Sequence, residues 1–207
     1  MTIGELQMLG RRRLAGFAVA ISILAPATAW AEDTDQAEKF IDALLKDLSA
    51  VVNGGKPVEA QKAAMRRIVY DAVDVDGVAR FCLGRFWRTA TPQQQKDYTE
   101  IFRNVMVSNI TGKVGEYQGV SFMMGKGQAR AEEIAVASTV NRPGNAPNKV
   151  DWLVAPVGGK LRVIDVVAEG TSLRLTQRSD YGAFLSRNNN DVQALIDALK
   201  KQAVAAN

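Results

Sequence analysis

The sequence predicts an α+β fold: a four-stranded antiparallel sheet packed against a set of helices, with an apolar cleft between the layers. Two changes of period carry that prediction. As far as Ile110 apolar residues recur every three or four positions, as on one face of a helix, and from Val120 to Val167 they alternate every second position, as in half-buried strands. After Gly170 the helical period returns, so helices precede and follow the strands instead of alternating with them.

Residues 1–31 stand apart from the fold. "LGRRRLAGFAVAISILAPATAWA" joins Arg11-Arg12-Arg13 to an apolar stretch and to small residues at Ala29 and Ala31, the pattern of a secretory signal peptide cleaved before Glu32. The stretch from Leu14 to Ala25 is shorter than the ~20 residues of a bilayer span. The expectation is an exported chain, 32–207, folding as a single domain. The arginines fit Sec export, and a loose twin-arginine motif leaves a Tat route open.

Each later element has its own signal. Ala37, Phe40, Ile41, Leu44, Leu45, Leu48, Val51 and Val52 form one helical stripe, stopped by Asn53-Gly54-Gly55 and Pro57. A second helix is expected over Val58 to Tyr70, and a short third from Asp74 or Asp76 to Gly84. Thr91-Pro92-Gln93-Gln94 is a start signal, with Thr91 as N-cap, Pro92 at the first helical position and Gln94 able to reach back. The helix behind it carries Tyr98, Ile101, Phe102, Val105, Met106 and Ile110 on one face. Strands are expected at Val120/Phe122/Met124, Ile134/Val136, Val150/Trp152/Val154 and Leu161 to Val167, with a longer turn over Asn141 to Pro147 and a tight hairpin at Gly158-Gly159. Helices from about Thr171 to Ser186 and from Asp191 to about Ala203 flank the turn Asn188-Asn189-Asn190.

Composition narrows the chemistry. The formal charge of +4 falls to about +2 once the leader's three arginines and one glutamate are removed, and the basic residues are scattered, so no nucleic acid is expected as a partner. There is no histidine, which removes the usual general base and the commonest zinc ligand; no catalytic residue, metal or cofactor is expected. Cys82 is the only cysteine, so there is no internal disulfide, and no cysteine near residue 32 marks a lipoprotein.

Asp165 and Glu169 raise the question of an acid/base pair. In one strand, four residues place them about 13 Å apart, beyond the roughly 5 to 9.5 Å of paired glycosidase carboxylates. The structural reading ends the strand at Glu169-Gly170 and caps the next helix with Thr171 or Ser172. Glu169 then lies near that helix's positive end, and Asp165 is tied to a backbone group or to an arginine such as Arg178. A small α+β enzyme with Asp165 or Glu169 as base on an apolar substrate is one competing reading, and a periplasmic adaptor with a filled core is another.

"LRVIDVVAEGTSLRLTQRSDYGAFL" resembles the hallmark segment of the MlaC-type periplasmic phospholipid-binding proteins, the toluene-tolerance family. "DVDGVARFCLGRFWRTATPQQQKDYTEIFRNVM" is similar to a second block of that family, and together the two cover the mature chain in the right order. "TQRSDYGAFL" is also similar to the hopanoid-biosynthesis branch, HpnM. Leu161 and Ile164 depart from the family, where many members carry an aromatic residue and a tyrosine. The resemblance implies a soluble periplasmic carrier that moves phospholipid, or a hopanoid, between an outer-membrane lipoprotein complex and an inner-membrane ABC transporter with an MCE-domain subunit; a shuttle that docks on two membranes is easiest to picture as a monomer. A diacyl lipid exposes on the order of 30 methylenes, costing roughly 24 kcal/mol in water, so such a carrier needs an apolar pocket.

The strand alternation turns Phe122, Met124, Ile134, Val136, Trp152 and Val154 toward the helices, with Val105, Met106 and Ile110 opposite; these are the candidate lipid-pocket residues, and a filled core reads the same way. Arg80, Arg85 and Arg88 interleave with Phe81, Phe86 and Trp87, either as a ring-stacked turn or as a head-group or partner docking site, and Arg80 matches the family motif. Asp165, Glu169, Gly170, Ser172 and Arg178 are the candidate structural motif.

Overall fold

A computed structural model describes residues 27–205, with side chains from Asp33 to Val204. The expected leader lies outside these residues except for 27–31, which form the first residues of α1 (Ala27–Asn53). α2 (Val58–Ala72), α3 (Val75–Leu83) and α4 (Pro92–Thr111) follow. β1 (Ser121–Arg130), β2 (Glu133–Asn141), β3 (Asn148–Val157) and β4 (Lys160–Ala168) form an antiparallel meander, and α5 (Leu173–Arg187) and α6 (Val192–Ala205) close the chain.

The local signals explain most boundaries. Thr91 accepts from the Gln94 amide at 3.2 Å while the Gln94 side chain accepts from the Thr91 amide at 3.0 Å, a capping box that fixes where α4 begins. Asp74 caps α3 by accepting from the Gly77 amide. α1 ends on Asn53, whose side-chain amide donates to the Val120 carbonyl and whose oxygen accepts from the Gly119 amide, so one residue both stops a helix and pins the start of β1.

The sheet has five strands, not four. β5 is the two-residue segment Thr171–Ser172, paired back onto Ala168 and Val167 of β4, so α5 begins at Leu173 and not at Thr171. Glu169 and Gly170 make the turn between them with φ of 47° and 78°, a left-handed pair that Gly170 adopts without steric cost. Val120, expected in β1, is buried just ahead of it. β4 also carries an irregularity: Leu153 and Val154 of β3 are adjacent, yet they pair with Asp165 and Val163, so the register steps past Ile164.

The core is divided. Ala37, Ile41, Leu44 and Leu45 of α1 pack on Ile134, Val136, Val154 and Val163 of the sheet. A larger cluster joins α3, α4, α5 and α6 around Tyr98, Phe102 and Tyr181, whose rings meet pairwise with centroids 5.9 to 6.3 Å apart. A third, small cluster of Val52, Met65 and Val114 holds together the end of α1, the middle of α2 and the 3₁₀ turn Val114–Tyr117 that follows α4. The Asp74 amide donates to the Val163 carbonyl at 3.0 Å, which docks the end of α2 against β4.

Thr91→Ala removes one half of the capping box and should lower stability by about 1 kcal/mol; the check is the midpoint of a urea melt followed by circular dichroism, with the slope unchanged.

Candidate functional site

Where the three clusters meet, the packing leaves a cavity of about 560 Å³. Each cluster supplies a wall. Leu44, Ala72 and Val163 come from the α1–sheet cluster, Val69, Cys82, Phe102, Val105 and Tyr181 from the helical one, and Met65 from the third, with Leu48, Ile110 and Tyr117 packed against it. Exposed lining residues mark the mouth: Asn109 on α4 and Leu173, Thr176 and Asp180 on α5, with Leu173 53% exposed. The interior is mostly hydrocarbon and aromatic, and the polar groups collect along α5, with Asn109 of α4 and the buried Asp165 of β4 beside them.

Of the nine candidate pocket residues, Val105, Met106, Ile110 and Trp152 line the cavity. Phe122, Met124, Ile134, Val136 and Val154 do not; they face the helices as their alternation predicts, but α1 fills the space above them. Trp152 is aimed by a hydrogen bond from its ring nitrogen to the Ser138 hydroxyl at 2.9 Å. The walls outside the nine candidates come mainly from α2 and α5, with Leu44 and Leu48 of α1, Val78 and Cys82 of α3, Phe102 of α4 and Val163 to Val166 of β4 beside them. Met65, Ile68, Val69 and Ala72 had a legible helical spacing; Leu173, Thr176, Gln177, Asp180 and Tyr181 share one helical face but mix polar with apolar types, so they carried no apolar signal. Ile164, one of the two departures from the resembled pattern, is in the wall, whereas Leu161 packs against the α1–sheet cluster.

The α5 wall is held by Asp165, which is 6% exposed. Its carboxylate accepts from the Val166 amide at 2.8 Å, the Arg174 amide at 3.0 Å and the Ser172 hydroxyl at 2.5 Å. Ser172 in turn caps α5 by accepting from the Leu175 amide. The arginine beside Asp165 is Arg174, at 3.4 Å, and not the expected Arg178; Arg174 also reaches Glu133 of β2 at 3.2 Å. Arg178 lies over the Phe81 ring, 4.9 Å from its centroid, and against Gly84, where a β-carbon would come within 3.1 Å of its guanidinium. Glu169 is engaged elsewhere than at the start of α5: it accepts from the Lys149 amide, closing the end of the sheet. Asp165 and Glu169 therefore hold separate pieces of framework.

Arg80 and Arg85 rest on the rings of Trp87 and Phe86, at 5.6 and 4.8 Å, and Arg88 is exposed. None of the three is among the lining residues. The carboxylates near Arg80 are otherwise used, Asp76 by Arg103 and Asp74 as the α3 cap. Among the described residues no three potential metal-binding side chains of the His, Cys, Asp and Glu types cluster.

Burial keeps the Cys82 thiol and the Tyr98 and Tyr181 phenols neutral. The Cys82 thiol, in the wall and donating to the Arg174 carbonyl at 3.6 Å, is pushed up to about 12 by burial first and by the Asp165 charge second. Burial likewise raises Tyr98 and Tyr181 above the usual tyrosine range.

Two outcomes follow from these contacts. Asp165→Ala leaves Arg174 and Ser172 without their shared partner and should cost about 3 kcal/mol, seen as a lower urea midpoint. Cys82 should ionise in the unfolded chain from about pH 9 but in the folded protein only near about 12; its contribution to stability is complete below pH 9 and declines as pH rises between those values. Urea midpoints across that range should fall more for the parent than for Cys82→Ala, and a thiol reagent at pH 8 should label Cys82 only on unfolding.

The overall fold recurs in a solved structure. The chain matches the MlaC protein family over residues 38–201. It is 26% identical over 137 residues to the toluene tolerance protein ttg2D of Pseudomonas putida, an alignment that spans 65% of this chain and 63% of that protein. Its fold superposes with a TM-score of 0.70 on a phospholipid-binding protein from Ralstonia solanacearum, solved in complex with a phospholipid, at 20% identity and covering 82% of this chain and 98% of that one. With the family match running from the second turn of the described α1 side chains into α6, the chain belongs to the MlaC family.

Proposed function

We propose that this protein is a periplasmic lipid carrier that shields phospholipid acyl chain in its cavity and moves the lipid between an outer-membrane lipoprotein complex and an inner-membrane ABC transporter bearing an MCE-domain subunit. The observation that carries the reading is the gap of about 560 Å³ at the junction of three packed clusters, apolar within and polar at its mouth. Protein interiors are otherwise close-packed, so a gap of this size has to be maintained by the surrounding fold. Each methylene shielded from water is worth ~0.8 kcal/mol, which is enough for area alone to hold a chain. Family membership and the ligand of the Ralstonia solanacearum protein support the choice of phospholipid. Among the described residues no helix is long and apolar enough to cross a membrane.

The test is native mass spectrometry of the protein isolated from periplasm without detergent. A stoichiometric adduct of phospholipid mass is expected, and Val105→Trp, which fills the cavity from α4, should reduce its occupancy at least about tenfold, since losing room for two methylenes already weakens binding by that factor. A hopanoid mass would reassign the cargo. A bare protein mass that vesicles do not shift would remove the carrier reading.

A further inference from the structure

A basic face stands beside the cavity. We propose that Arg80, Arg85, Arg88 and Arg178, together with the exposed Leu173 and Leu175, form a docking surface for an anionic lipid bilayer. This goes beyond the carrier reading, because none of the four arginines lines the cavity.

Short-range geometry brings the arginines together. The 3₁₀ turn Gly84–Arg88 has about three residues per turn, so Arg85 and Arg88 share one edge, and both are exposed. Arg80 lies one turn ahead of Gly84, with its guanidinium 5.6 Å from the centre of the Trp87 ring. Arg178 arrives from α5, over the Phe81 ring at 4.9 Å and packed against Gly84.

These cations are free to meet an outside anion. Among the described residues none of the four forms an ion pair, whereas Arg103, Arg130 and Arg174 each do. The carboxylates on the same two helices are placed elsewhere: Asp76 holds Arg103, and Asp180 is at the cavity mouth, about 200° around α5 from Arg178. The rings beside Arg80, Arg85 and Arg178 restrict each guanidinium while leaving N–H donors for a phosphate, so less freedom is lost on binding. Arg66, Arg67 and Arg187 are exposed as well, yet among the described residues no ring holds them.

Leucine decides between a lipid surface and an acidic protein. Leu173 and Leu175 flank Arg174 in the first turn of α5 and are 53% and 56% exposed. Exposed leucines beside arginines suit the head-group boundary of a bilayer, where phosphates meet the cations and the acyl region takes the apolar side chains. Leu173 is also at the cavity mouth, so a bilayer docked here borders the opening.

The experiment is flotation of the protein isolated from periplasm with vesicles of phosphatidylcholine, alone or mixed with equal phosphatidylglycerol, at low salt. The protein should float with the mixed vesicles only, and less as salt is raised. Arg85→Glu combined with Arg88→Glu should cut partitioning at least about tenfold, since each cation near an anionic surface is worth about fivefold. Leu175→Gln, outside the cavity lining, should weaken it severalfold. Arg66→Glu combined with Arg67→Glu makes the same change of net charge on α2 and should cost far less; an equal loss there, in variants that all keep the parent's circular dichroism, would overturn the docking surface. Unchanged flotation of the Arg85/Arg88 variant would do the same. A parent protein that stays off the mixed vesicles but binds a polyglutamate peptide would overturn the proposal in favour of an acidic protein partner. Native mass spectra of the same samples keep the two readings apart: a phospholipid adduct without flotation sinks the docking surface alone, and flotation of a protein that never carries lipid sinks the carrier alone.

Discussion

The carboxylate of Asp165 is the point on which the cavity side of the molecule depends. It is buried at the irregularity of β4 and receives hydrogen bonds from three donors spread over nine residues of chain: the Val166 amide, the Ser172 hydroxyl and the Arg174 amide. A buried carboxylate without such donors would carry a large desolvation penalty; with them it converts a sharp reversal of the chain into a fixed one. The hydroxyl it holds is the cap of α5, and the arginine beside it reaches across to Glu133 on β2 and lies 4.7 Å from the Phe81 ring centre on α3. One side chain thus sets the position of a helix relative to two strands and another helix, and that helix forms one side of the cavity.

The cavity persists because no single cluster borders it alone. α1 is bound to the sheet, α3 to α6 are bound to one another, and the Val52–Met65–Val114 cluster ties the far ends. Collapse would require one of these bodies to move as a unit, since each is packed internally and interiors are stiff. The parallel contact between Val73 and Val163, with the Asp74 amide on the Val163 carbonyl, fixes the end of α2 to β4 at the cavity's edge. A gap bounded by three rigid bodies stays available to a ligand, whereas a gap inside one cluster would be filled by the relaxation of its neighbours.

Signals confined to a few residues were legible in the sequence. Thr91 to Gln94, the stop after Asn53, the glycine hairpin and the change of period each depend on contacts within one turn or one strand, and the sheet and helices stand where those signals place them. The unread features depend on partners distant in sequence or on too few residues to repeat. β5 has two residues and hence no period. The step past Ile164 leaves no trace in hydropathy yet changes which neighbours Asp165 meets. Parity turned Ile134, Val136 and Val154 toward the helices, but only the path of α1 decides that this part of the interface is filled while the part near Trp152 is open. The choice of Arg174 over Arg178 depends on the start of α5, two residues later than the sequence placed it.

The chemistry of the cavity follows from what the chain lacks as much as from what it holds. Histidine is the side chain whose ordinary pKa falls in the physiological range, and there is none. The Cys82 thiol and the Tyr181 phenol in the wall are held neutral by burial, and the one cation in the described wall is matched by two carboxylates. Such a lining offers an occupant apolar area and no charge that ordinary changes of pH create or remove through histidine. The apolar area such a space offers is set by where its walls stand. In this fold the bulge, the cap and the buried ion pair act at a distance, by fixing the shape of a space whose surface is largely hydrocarbon.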